Sequence, residues 1–111
     1  MDIQEELRAN DYAMTKSMRD LRPNWEAWAR ADVEYHILKS QKILELDSQG
    51  YSKTLISEVV KGLPEVAELD LKRKIAEGNY KANLEAVNVY KQKEQTLRMY
   101  FDKEYYDEKN L

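Results

Sequence analysis

Apolar residues return every three to four positions along most of this chain, the spacing of a helical stripe rather than of a strand. The first stripe runs Ile3, Leu7, Met14, Met18 and Leu21, with Asn10 or Asp11 as its polar interruption. Gaps of four and seven fit a heptad-like face and predict a helix over about 2–21. Arg22 and Pro23 mark a break, because a residue before proline is pushed out of the α region. Asn24 suits the N-cap of a second helix, about 24–48, that opens Trp25-Glu26-Ala27-Trp28. Its stripe reads Ala29, Val33, Ile37, Ser40 and Leu44, widened by His36 and Ile43. Gly50 follows as a residue that adopts positive φ at little cost and so ends helices.

A short amphipathic segment comes next. Ser52 is placed to cap a helix over about 53–61 with Leu55, Ile56, Val59 and Val60 on its apolar face. So short a helix is unstable alone and must pack on something. Gly62 ends it, and Pro64 suits the first turn of a further helix. From there to the end the chain has no other proline and only one glycine, Gly78. A last helix over about 64–107 would be a rod of roughly 65 Å at ~1.5 Å per residue. Its apolar set is Val66, Leu69, Ala76, Tyr80, Leu84, Val87, Tyr90, Leu97, Phe101 and Tyr105, and Ile75, Ala82 and Val89 form a flanking strip. Arg73, Asn83 and Glu94 interrupt the seam. Opposite charges stand four apart along the outside, as in Glu77–Lys81 and Glu94–Arg98, each pair adding only ~0.2–0.5 kcal/mol. Tertiary packing must supply the rest.

These elements predict an all-α fold of one domain, residues 1–111. The architecture is an elongated antiparallel helical hairpin, or a three-helix coiled-coil-like bundle, with one very long C-terminal helix. If Pro23 only kinks the chain, the first two helices lie along the last one and 50–63 is the tip. If Pro23 begins a turn, a compact three-helix bundle with a protruding tail results. Either plan leaves apolar surface uncovered near Tyr100, Phe101, Tyr105 and Tyr106, which predicts a homo-oligomer.

Composition changes this picture little. Charged residues make up 35% of the chain, above the usual quarter, and three glycines with two prolines are too few for a turn-rich β fold. The net charge of −3 argues against a strongly basic nucleic-acid binder. With no cysteine there is no disulfide framework or thiolate chemistry. No apolar run approaches the roughly 20 residues that span a bilayer. The acidic start Asp2-Ile3-Gln4-Glu5-Glu6 is unlike a signal peptide, so a cytoplasmic location is expected.

Candidate chemistry is sparse. No Gly-rich phosphate loop, nucleophile elbow or metalloprotease motif is present. The single histidine, His36, has Asp32 one turn before it. That pair is one edge of a metal site at most, since such sites gather three or four ligands. No catalytic residue, cofactor or metal is expected. Trp25 and Trp28 are either a partner anchor or a plug between helix ends. With Tyr100, Phe101 and Tyr105 they are the candidate partner or oligomer contacts. An alternative treats 50–74 as a helix-turn-helix-like DNA-binding module. Its candidate contacts are Ser52, Lys53, Lys72, Arg73 and Lys74, set against the acidic Glu65, Glu68 and Asp70.

Three stretches, Tyr51-Ser52-Lys53-Thr54-Leu55-Ile56, Lys61-Gly62-Leu63-Pro64-Glu65-Val66-Ala67-Glu68-Leu69 and Ala76-Glu77-Gly78-Asn79-Tyr80-Lys81-Ala82, carry a resemblance. Over residues 40–105 the chain resembles small α-helical proteins of phages and prophages of Gram-positive bacteria. The resemblance implies a bacterial cytoplasm and a phage accessory role, and transfers no catalytic residue. The expectation is a non-catalytic, oligomeric helical interaction module. Its protein partner is expected among host or phage DNA-metabolism or defence machinery.

Overall fold

A computed structural model describes residues 2–109. Among them the chain is all-α: α1 spans Ile3–Ser48, α2 spans Lys53–Gly62 and α3 spans Pro64–Lys109. The expected single domain also takes in Met1, Asn110 and Leu111, which lie outside the described residues.

Each helix end has a visible cause. Asp2 caps α1, its carboxylate accepting from the Gln4 N–H at 2.9 Å. At the other end Gly50 takes φ +88°. Its N–H donates to the Asp47 carbonyl and the Tyr51 N–H to the Leu46 carbonyl, the paired bonds of a Schellman cap. Gly50→Ala is therefore expected to lower stability by about 1–2 kcal/mol, the cost of a Cβ in the left-handed region, as read by thermal unfolding. The Ser52 hydroxyl caps α2 by accepting from the Leu55 N–H at 3.3 Å. Leu63, extended at φ −67° and ψ 128°, closes α2. Its carbonyl accepts from Ala67, so the same residue opens α3 ahead of Pro64.

The break expected at Arg22 and Pro23 does not occur, and the two N-terminal helices are one. Helix α1 passes through Pro23. Proline there removes the hydrogen bond to the Arg19 carbonyl and crowds it. Both residues are exposed, so solvent can take up the orphaned carbonyl. The heptad spacing also runs on without a step. Leu21, Asn24, Trp28, Ala31 and Tyr35 are all buried or half-buried, at alternating gaps of three and four.

That continuity corrects the stripe assigned to residues 24–48. Val33, Ile37, Ser40, Leu44 and His36 are exposed, while Ala31, Tyr35, Leu38 and Leu46 turn inward. The expected stripe was the more aliphatic one, whereas the packed stripe continues the register set before Pro23.

Contacts gather into two units. One is Asn24–Tyr80, and the other comprises the described residues before Asn24 and after Tyr80. In the Asn24–Tyr80 unit the core is Tyr35, Leu46, Ile56, Val60 and Val66, with Leu38, Ile43, Val59, Leu63 and Leu69 packed around it. Val60 and Val66 are fully buried, and burial of each contributes about 1.5–3 kcal/mol. Helix α2 supplies Ile56 and Val60, which is what holds this short helix in place. Trp28 faces Tyr80 and Lys42 faces Glu65, so α1 and α3 run antiparallel here.

In the other unit α1 and α3 also pair antiparallel. Val87 and Leu97 are buried, and Asn10 is the buried polar residue of the seam. The Asn10 amide donates to the Tyr90 carbonyl at 2.9 Å, and the Asn83 amide donates to the Ser17 carbonyl at 2.8 Å. Residues that interrupt the apolar pattern in sequence thus bridge the helices and fix their register, as a buried asparagine does in coiled coils. Asn83 takes the seam position expected for Leu84, which is exposed, as is Tyr105. No helix among the described residues is long and apolar enough to cross a membrane.

Candidate functional site

The Asn24–Tyr80 unit concentrates the polar and aromatic contacts. Tyr35 on α1 is 6% exposed. The Arg73 guanidinium of α3 lies over its ring, 3.9 Å from the centroid. A cation over a desolvated tyrosine face is attracted by the ring quadrupole. Arg73 also meets Asp70 at 2.7 Å and Asp32 at 3.2 Å, and Lys74 meets Asp70 at 2.8 Å. Lys72 pairs with Glu34 at 3.0 Å. Arg73, a seam interruption in the sequence, is thus the centre of an α1–α3 clasp.

Hydrogen bonds from Lys74 and Arg73 hold the Asp70 carboxyl below its usual range. Its own backbone N–H, and then Lys42, do the same for Glu65. A carboxylate with a depressed folded pKa contributes stability that is complete above its unfolded value and drains as the pH falls through the folded one. The melting temperature is therefore expected to hold level with respect to these groups from about pH 5 to 8, and to fall below about pH 4. Bonds to Glu45 and Glu65 raise Lys42, so its contribution is full below the usual lysine range and lost only above it.

The candidate residues separate in space. Trp28 stacks on Tyr80, ring centroids 5.6 Å apart at 30°, within the helix seam. Trp25, three residues earlier, is exposed. Tyr100 and Tyr105 are exposed in the other unit, and Phe101 is half-buried there. Of the candidate DNA contacts, Ser52 is spent as a cap and Lys72, Arg73 and Lys74 each meet a carboxylate. Of the four basic residues in that set, Lys53 alone has no ion pair among the described residues. His36 lies 3.5 Å from Asp32, a carboxylate already shared with Arg73. Among the described residues no three His, Asp or Glu side chains gather as a metal site requires.

Two features escaped the sequence pattern. The first is an outward apolar face. Val33 and Ile37, each 55% exposed, and the more exposed Leu44 lie on α1. Leu71 at 59% and Ile75 at 56% lie on α3. Gly78 continues that α3 line, and a Cβ built on it would meet nothing within 4 Å. The gaps are four and seven on α1 and four and three on α3, so each helix carries a second seam on the side away from its partner. The second feature is a groove of 440 Å³ between α1 and α2, floored by Ile43, Leu44, Ile56 and Val60. Its signal in the sequence was the pair Lys53 and Lys61, two turns apart with Ser57 between them along one side of α2.

An all-α fold of antiparallel helical pairing is the class these features define. Comparison with protein families, with curated proteins and with solved structures finds no match for the chain.

Proposed function

We propose that this chain is a non-catalytic helical interaction module that assembles with further copies of itself and binds a protein partner. The observation that carries this reading is the second seam. Val33, Ile37 and Leu44 on α1, and Leu71 and Ile75 on α3, repeat the spacing of the buried seam yet face outward. Apolar side chains so aligned gain about 25 cal/mol per Å² when another helix covers them. Gly78 supports it independently. A glycine inside a helix costs about 1 kcal/mol relative to alanine, and no neighbour among the described residues requires its small size. A helix from outside packing closely at that point would.

The resemblance to phage and prophage proteins supports a bacterial cytoplasmic setting and a phage accessory role, with the partner in DNA-metabolism or defence machinery. The test is solution mass by light scattering, joined to affinity capture from infected cells. The expected result is a mass above one chain that returns to one chain in Val33→Glu/Ile37→Glu. Gly78→Leu is expected to raise the melting temperature of the single chain by a few degrees while weakening assembly about tenfold or more. A strict monomer with nothing captured removes the reading. A low-salt shift of duplex DNA, lost when Lys72, Arg73 and Lys74 become Gln, would favour the DNA-binding alternative.

A further inference from the structure

The groove between α1 and α2 differs from the outward seam in its chemistry. Its floor is aliphatic, formed by Ile43, Leu44, Ile56 and Val60. Its rim is basic, with Lys39, Lys53 and Lys61 set against the lone carboxylate of Asp47. Lys39 leans over the Tyr35 ring, 5.5 Å from its centroid. Lys53 and Lys61 have no ion pair among the described residues. They stand eight residues apart on α2, two turns along one face. A ligand that fits has an apolar body and more than one negative charge.

The chain itself carries such a segment. The last turns of α3 present Tyr100 and Tyr105 outward. Asp102, Glu104, Asp107 and Glu108 lie among them, against Lys103 and Lys109. A tyrosine buries its ring in an apolar site and keeps its hydroxyl at the wet edge. Carboxylates on the adjoining turns are then within reach of rim lysines. We infer that the α1–α2 groove receives the acidic, tyrosine-bearing end of α3 from a second copy of this chain, with Lys53 and Lys61 pairing its carboxylates. The inference rests on the reading of the chain as a self-assembling module, but its lysines and carboxylates lie outside the outward seam, with which the groove shares only Leu44.

That difference separates the two in one experiment, sedimentation velocity of the full chain across concentration and salt. Opposite charges across an interface set its specificity and its salt response. Lys53→Glu/Lys61→Glu is expected to weaken self-association about tenfold or more, and so is Asp107→Lys/Glu108→Lys. An equimolar mixture of the two variants is expected to recover association, because each supplies the charge the other now needs. Unchanged far-ultraviolet circular dichroism checks that the fold is intact, and Lys53→Glu alone serves if the double variant loses helix. Raising the salt to about 0.5 M is expected to mimic the variants.

Wild-type association in both charge-reversed variants overturns the inference, as does a mixture that fails to recover. If that association is instead lost in Val33→Glu/Ile37→Glu, the assembly reading stands and the groove inference alone falls. If the wild-type chain is a monomer at all concentrations, both fall together.

Discussion

Tyr35→Ala is expected to destabilise the protein by about 3–5 kcal/mol, while Ile37→Ala, two residues on, changes stability by no more than about 0.5 kcal/mol. Tyr35 is buried with Leu46, Ile56, Val60 and Val66. Removing it opens a cavity in that core and strips Arg73 of the ring beneath its guanidinium. For a domain of this size the loss is a fall in melting temperature of roughly 15 °C or more. Ile37 faces solvent, and alanine is the better helix former there, so the two effects nearly cancel. Thermal unfolding of dilute protein, followed by circular dichroism, checks both. A large loss at Ile37 with little at Tyr35 would place the buried face of α1 on the aliphatic stripe, and the register described above would be wrong.

The second large effect is a gain. Pro23→Ala is expected to stabilise the chain by up to about 3 kcal/mol, the interior penalty of proline relative to alanine. The gain follows from α1 being helical on both sides of residue 23. Alanine supplies the missing N–H to the Arg19 carbonyl, removes the ring clash and faces solvent without loss of packing. A rise in melting temperature of roughly 10 °C is the expected reading. Were Pro23 the start of a turn, alanine would bring no such gain. An unchanged or lowered melting temperature would therefore contradict the continuous helix.

Local rules reached far along this chain because nearly all of its described residues lie in helices, whose capping and propensity are set by near neighbours. Ser52, Gly50 and Pro64 mark their boundaries locally, where a hydroxyl, a missing Cβ and a missing N–H each act within four residues, whereas the end expected at Gly62 falls one residue later, at the Leu63 cap. The seam of α3 was also legible, as Val66, Leu69, Ala76, Tyr80, Val87, Tyr90, Leu97 and Phe101 have no rival stripe of equal length.

At α1 the same rules failed for a specific reason. Taking Pro23 as a break released the second half of the helix from the phase of the first. Hydropathy then favoured Val33, Ile37 and Leu44 over Ala31, Tyr35 and Leu38. Proline penalises a helix by a few kcal/mol, less than the packing of a long continuous seam contributes, and that comparison cannot be made from neighbouring residues. The interruptions behaved likewise. Asn10, Asn83 and Arg73 look like faults in an apolar stripe until a facing carbonyl or ring is present to receive them.

The sequence by itself determined that the chain is helical, where α2 sits and which side of α3 is greasy, since propensity, capping and periodicity are local. Only the tertiary structure decided that α1 is one helix, that its aliphatic side faces outward and that lysines rim a groove beside α2. Those are choices between competing faces, and the partner helix makes them by burying one and leaving the other to solvent.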